Sequence, residues 1–177
     1  MERALRSWKR IVERQGRPGI RQSFERGQGV TLSEELALIS SIFVDTAPVI
    51  YYIEAHPQFG PLAKEAVTAF QSGTLNAFSS VITLTEVLPK PIEQGDEKLA
   101  RKFAEFLKHG KNLTMIEISE GIAEAAGKLR GRYTFLKSID AIQISAAIDA
   151  GAEAFLTNDR KLKQIEEIKV LLLAEYL

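Results

Sequence analysis

The chain has 177 residues, enough for one ordinary domain and an appendage. Charged residues make up 26% and hydrophobic ones 45%, the composition of a soluble globular protein rather than a disordered or fibrous one. The absence of cysteine excludes a disulfide framework and any thiolate metal site. The longest apolar runs, such as Val170–Ala174, are far too short to span a bilayer, and the N-terminus lacks the basic head, apolar core and small-residue cleavage site of a secretory signal. A cytoplasmic protein with no membrane association is expected.

The formal net charge of zero hides an asymmetry. Within residues 1–32, eight basic residues (Arg3, Arg6, Lys9, Arg10, Arg14, Arg17, Arg21 and Arg26) face three acidic ones (Glu2, Glu13 and Glu25), a surplus of five. The remainder carries the matching deficit, so a basic arm is joined to an acidic domain. A broadly cationic nucleic-acid binder is excluded, and any such role must be local or metal-assisted. The division expected is residues 1–40 as the arm, partly helical or disordered, and 41–177 as the domain. In the arm, Trp8, Ile11 and Val12 mark one face of a short helix, and Arg17-Pro18-Gly19 reads as a turn. Ser33–Leu36 opens a short helical lead-in to the domain.

Ile42-Phe43-Val44 is the first strand, and it ends in Asp45. Ala47–Ala55 reads as a helix with Pro48 near its start, closed by His56-Pro57, and Leu62–Gln71 as a second helix stopped by Gly73. Ala77–Thr83 reads as a second strand. Thr83 and Glu86 then have capping-box spacing at the head of a helix. Asp96–His109 is an amphipathic helix with Leu99, Phe103, Phe106 and Leu107 inward. Leu113–Ile118 is a third strand and Glu120–Tyr133 a helix. Ser138 is expected to cap a nearly all-apolar helix that carries Asp140 in its first turn. Ala154–Thr157 is a fourth strand, followed by Asn158-Asp159-Arg160, a short helix over Lys161–Ile165 and a last strand over Val170–Ala174. Alternating strands and helices predict an α/β fold, a three-layer α/β/α sandwich around a parallel sheet.

In such a sheet the ligand crevice lies beyond the carboxyl ends of the strands. Asp45, Glu86, Asp140 and Asp159 all fall on that edge. Each has a plain alternative: Asp45 and Asp159 as helix caps, Glu86 as the back-reaching half of a capping box, Asp140 as an acid at the positive end of its helix, each worth about 1 kcal/mol. Four such accidents on one edge are less economical than one site. Two carboxylates about 4 Å apart repel by roughly 4 kcal/mol at an effective dielectric near 20, which protonation or a cation must relieve. An oxygen-only donor set selects a hard ion, Mg²⁺ or Mn²⁺, over zinc. Such an ion polarises a phosphodiester and lowers the pKa of bound water. The expected chemistry is metal-assisted phosphodiester hydrolysis without a protein nucleophile.

Ile42-Phe43-Val44-Asp45-Thr46-Ala47, Thr83-Leu84-Thr85-Glu86-Val87, Ser138-Ile139-Asp140-Ala141-Ile142-Gln143 and Leu156-Thr157-Asn158-Asp159-Arg160 together resemble the acidic motifs of the PIN-domain family, in particular the VapC-like toxin ribonucleases of type II toxin–antitoxin pairs. The resemblance covers about residues 41–175. It implies Mg²⁺ or Mn²⁺ at the four acids, RNA cleavage leaving a 5′-phosphate, a homodimer and neutralisation by a cognate antitoxin protein. On that resemblance Asp45, Glu86 and Asp140 form the inner metal ligands and Asp159 the outer or second-metal acid. Thr46 and Thr157 orient them by hydrogen bonds.

Lys137, Arg160 and Lys161 flank the acids and are candidates for RNA phosphates, with ordinary surface charge as the alternative. His56 and His109 are explained by helix ends, and Tyr51, Tyr52, Phe70, Phe103 and Phe106 by core or dimer packing rather than base stacking. The leading expectation is a metal-dependent endoribonuclease. The alternative is a non-catalytic regulatory module that binds a partner protein or RNA on the same fold. For the arm, a built-in inhibitor, a disordered tail and a mis-assigned start remain open.

Overall fold

The chain folds around a central strand, β1 (Ser41–Val44), that is buried on both faces. The structure is a computed structural model and describes residues 30–177. The features read at Trp8, Ile11, Val12 and Arg17-Pro18-Gly19 lie outside the described residues. The first element is α1 (Leu32–Ala37), which begins with a capping box: the Thr31 hydroxyl accepts from the Glu34 amide while the Glu34 carboxylate accepts from the Thr31 amide. Its Leu32 and Leu36 are buried in the core of the domain.

After β1, α2 (Thr46–Ile53) starts directly on Asp45. Pro48 sits in its first turn, where a missing N–H removes no intrahelical bond. Next come α3 (Gly60–Ser72) and β2 (Asn76–Ser80), then α4 (Val81–Val87) and α5 (Pro89–Glu93). α3 ends at Gly73, whose φ of 91° suits a residue without a Cβ. α6 (Glu97–His109) follows, headed by Asp96, whose carboxylate accepts from the Leu99 amide. β3 (Leu113–Ile116) leads into α7 (Glu120–Arg132), capped by Ser119. α8 (Ser138–Asp149), β4 (Ala154–Thr157), a 3-10 turn (Arg160–Gln164), β5 (Lys169–Leu172) and a final 3-10 turn (Leu173–Tyr176) complete the described chain.

The five strands form one parallel sheet in the order β3-β2-β1-β4-β5. Side chains alternate between its faces. Ile42 and Val44, with Ala154, Leu156 and Leu171, point into one core with Leu32, Val49, Phe70, Phe103 and Leu107. Phe43, Phe155 and Val170 point into the other, with Ile122, Leu129 and Ile144. Phe43 pairs with Phe155 in the ladder and their rings stack at 5.3 Å. Two cores on opposite faces of one sheet make the three-layer α/β/α sandwich. No described helix is long and apolar enough to cross a membrane.

Three local expectations are corrected. The second strand stops at Ser80, and Val81-Ile82-Thr83 open α4 instead of extending the sheet. The Thr83–Glu86 capping box therefore does not form: both residues lie inside the helix, where Thr83 is fully buried and turned toward other partners. Nor does Ser138 cap α8. It is the first helical residue and exposed, the cap position is Lys137, and no side chain caps that end.

Candidate functional site

The sheet order reverses at β1. The chain leaves β1 toward β2 on one side, and β4 adds on the other, so the loops after β1 and β4 diverge and open a crevice at their carboxyl ends. Asp45 stands at that point. Its amide continues the ladder by donating to the Leu156 carbonyl at 3.0 Å, which fixes the backbone beside β4. One carboxylate oxygen, Oδ1, accepts from the Thr46 amide at 2.8 Å, so Asp45 does serve as a cap. The other, Oδ2, accepts from the Thr157 hydroxyl at 2.6 Å. Thr157, fully buried at the end of β4, also accepts from the Asp159 amide at 3.1 Å and so links the two acids.

Glu86 reaches the same region from the second turn of α4. Its Oε2 accepts from the Thr46 hydroxyl and, at 2.8 Å, from the Gln143 side-chain amide. That amide also donates to the Thr46 oxygen at 3.1 Å, while its carbonyl accepts from Thr83 at 3.3 Å. Thr83 in turn contacts the Ser79 hydroxyl at 3.0 Å, and Ser79 lies 3.1 Å from the Val44 carbonyl. A continuous buried polar chain thus joins β2, α4, α8 and α2 beneath the acids. Gln143, Ser79 and Thr83 belong to it, and the sequence reading assigned none of them to the site. Their only signal was a polar side chain standing in an otherwise apolar strand or helix.

Asp140 lies in the first turn of α8, partly buried. Burial, then the charges of Asp159 and Glu86, push its carboxyl above the usual range, against Lys137. Asp45 is pushed up to about 6, chiefly by burial, with Glu86 and Asp140 adding to the shift and the bonds from Thr157 and Thr46 opposing it. Mutual repulsion therefore ties Asp45, Glu86, Asp140 and Asp159 into one field. They do not converge on a point: among the described residues no three His, Cys, Asp or Glu side chains stand close enough together to grip an ion as placed. The reason is visible in the bonds. Asp45 and Glu86 are turned to neutral donors, and Asp159, exposed, spends Oδ1 on capping the Lys161 amide at 2.9 Å. In chemistry the donor set suits a hard cation. It is all oxygen, and Asp45 is bonded by no Lys or Arg among the described residues.

The flanking positive charges are Lys137, at the head of α8, and Arg160 and Lys161 on the 3-10 turn, all exposed. Arg160 and Lys163 line a cavity of about 400 Å³ with Leu172 and Glu175, in which Lys163 pairs with Glu175 at 2.7 Å. The turn is anchored by Asn158, which donates to Tyr51 and accepts from the Ala174 amide. His56 is structural: its Nδ1 accepts from the Gln58 and Phe59 amides, closing the turn after α2. His109 is exposed at the end of α6. Tyr51 stacks on Phe59, and Tyr52 and Phe70 both meet Phe106, so these rings serve packing.

The family model for the PIN domain matches residues 42–168. The chain belongs to the PIN-domain family. Solved structures share its fold. A chain of VapBC2 from Rickettsia felis bound to a DNA fragment from their promoter superposes with a TM-score of 0.62 at 21% identity, over 75% of this PIN domain protein and 98% of that chain. A toxin–antitoxin complex from Klebsiella pneumoniae gives 0.55 at 26% identity, over 76% and 98%. VapC20 from Mycobacterium tuberculosis, described as a sarcin–ricin loop cleaving toxin, gives 0.57 at 17% identity, over 72% and 98%. No curated protein matches the sequence significantly. The PIN domain seen here is therefore VapC-like in architecture, and the four acids stand at the crevice of its sheet.

Proposed function

We propose that this protein is a divalent-metal-dependent endoribonuclease, the toxin of a toxin–antitoxin pair, with Mg²⁺ or Mn²⁺ held by Asp45, Glu86 and Asp140 and with Asp159 as the outer acid. The observation that carries the reading is Asp45. A carboxylate at the switch point of a parallel sheet, pushed up by burial and by two further acids, is an environment short of positive charge. Membership of the PIN-domain family, and structural neighbours that are toxin–antitoxin proteins, support the same assignment.

Within this reading the bound ion would supply Lewis acidity and an activated water. The chain's own groups do the positioning. Thr157 fixes one oxygen of Asp45 and the Thr46 amide the other, so the carboxylate cannot rotate away from the crevice. Asp140 and Asp159 stand near enough to raise one another's field. Lys137, Arg160 and Lys161 offset the acidic field there and hold phosphate oxygens of the RNA on either side of the scissile bond. No protein nucleophile is required. A cognate antitoxin and a homodimer complete the assignment, which places the enzyme in the cytoplasm, where its RNA is.

The test is a Mg²⁺ and Mn²⁺ titration on a mixed RNA pool, with wild type beside Asp45→Asn and Asp140→Asn and the ends of the products mapped. Cation-dependent cleavage that leaves 5′-phosphates and is lost in both variants is expected. The open spacing of the acids favours one other reading, a non-catalytic module that binds a partner protein or RNA. It predicts no cation-dependent cleavage of any RNA with all four acids intact.

A further inference from the structure

Gln143 is an anomaly in its helix. α8 is lined on its buried side by Ala141, Ile144, Ala146 and Ala147 and by the small Ser145, yet Gln143, 2% exposed, carries a full side-chain amide there, with both donor and acceptor groups to be matched. Its amide nitrogen faces Glu86 and Thr46, which lie close enough together to share one of its hydrogens, and its carbonyl accepts from Thr83. The orientation admits no exchange of nitrogen and oxygen: an acceptor-only carboxylate must face the nitrogen. The Thr46 hydroxyl, accepting from Gln143, is left to donate to the same Glu86 oxygen. Glu86 Oε2 is thereby held from two sides, while Oε1 has no hydrogen-bond partner among the described residues. Gln143 also follows Asp140 by three residues, so the two share a face of α8. One side chain, from the helix that carries Asp140, therefore ties the acid on α4 to the start of α2, which begins on Asp45.

The geometry points to Gln143 as a positioning residue: by clamping one oxygen of Glu86 it leaves the other aimed at the crevice, and so sets how tightly the acids take up a divalent cation. This rests on the reading of the acids as a cation site. A packing role alone does not explain the arrangement, because a Leu or Met would fill the same space without needing three polar partners. Groups that orient metal-ligating carboxylates in this way commonly change ion affinity about 10–100-fold when removed.

The experiment uses the full chain, Mn²⁺ alone and no RNA, with affinity read by calorimetry and stability by thermal unfolding. Gln143→Met keeps the volume and removes the clamp, and its Mn²⁺ affinity should fall at least about tenfold. Adding Thr83→Val removes the hydroxyl that has lost its bond to the Gln143 carbonyl and keeps only its contact with Ser79. The double variant should recover thermal stability without recovering affinity; recovery of both together would make Gln143 a structural residue only and overturn the proposal. At saturating Mn²⁺ the cleavage rate of Gln143→Met should approach that of wild type. If Gln143→Met does not fold, Thr83→Val alone loosens the carbonyl anchor and should weaken Mn²⁺ binding by a smaller factor; unchanged affinity there overturns the role. Wild type that binds Mn²⁺, with binding lost in Asp45→Asn but kept in Gln143→Met, removes the Gln143 proposal and leaves the nuclease reading standing. Wild type that binds neither Mn²⁺ nor Mg²⁺ removes both.

Discussion

Asp45 is at once the proposed centre of the chemistry and a local cost to the fold. Its carboxyl rises from an ordinary 3.8 to about 6, with burial as the first cause. Between those two pH values the folded chain binds more protons than the unfolded one, so the stability of the cation-free protein falls as pH rises from about 4 to about 6 and levels off above, by up to about 3 kcal/mol. Asp140, pushed up by burial and by Asp159, adds to the same slope. Asp45→Asn should therefore abolish cleavage yet raise the stability of the cation-free protein at neutral pH by about 1–3 kcal/mol, measured by urea unfolding in the presence of a chelator. The Asn oxygen can still accept from the Thr46 amide, and its nitrogen can donate to Thr157. Mn²⁺ at about a thousand times its dissociation constant should reverse the ranking, adding about 4.1 kcal/mol to wild type and nothing to the variant. A loss of stability in Asp45→Asn without cation would mean that its two hydrogen bonds outweigh its burial.

At the scale of elements, junctions carry more than runs. Gly110 ends α6 in an extended conformation, and its amide donates to the Phe106 carbonyl at 2.9 Å. A Cβ there would stand 2.5 Å from that same carbonyl oxygen, a backbone atom that cannot swing aside. Gly110→Ala should destabilise by about 1–3 kcal/mol in chemical denaturation, with cleavage per folded molecule unchanged. The strands and most helices were legible in the sequence because short apolar runs alternate with amphipathic ones, and Asp96 and Gly73 mark helix ends by chemistry. The junction after β2 was not. Val81, Ile82 and Thr83 are β-branched and read as strand, yet Thr83 turns inward to Gln143 and the helix begins one turn early. Asp45 and Asp159 were legible as landmarks after strands, and Glu86 and Asp140 as acids on the helices beside them. Their supports, Gln143, Thr83 and Ser79, were not, because a buried amide or hydroxyl in an apolar run is recognisable only once its partner is known.

For the whole molecule, the decisive boundary is where the folded unit begins. Leu32 and Leu36 are 1% and 5% exposed, α1 packs them into the core that backs β1, and Glu35 pairs with Lys169 on β5. A truncation of residues 1–29 keeps α1 in the core. Removing 1–40 should cost about 3 kcal/mol or more, since each buried Leu contributes about 1.5–3 kcal/mol, and thermal unfolding of the two truncations separates the cases. Any inhibitory action of the basic arm on the acidic crevice must therefore be sought with the shorter deletion, where a change in rate is not confounded by a weakened core.

The strand order has a consequence for when such a protein becomes active. Asp45 is made well before the groups that seat it: the Thr157 hydroxyl that holds it lies 112 residues further on, and the Leu156 carbonyl that seats its backbone comes from the same strand, β4. Until β4 has docked, Asp45 lacks the hydroxyl and the carbonyl that hold it. Under the nuclease reading proposed above, a partly made chain would be inactive for that interval, and any neutralising partner made alongside it would have that time to be present.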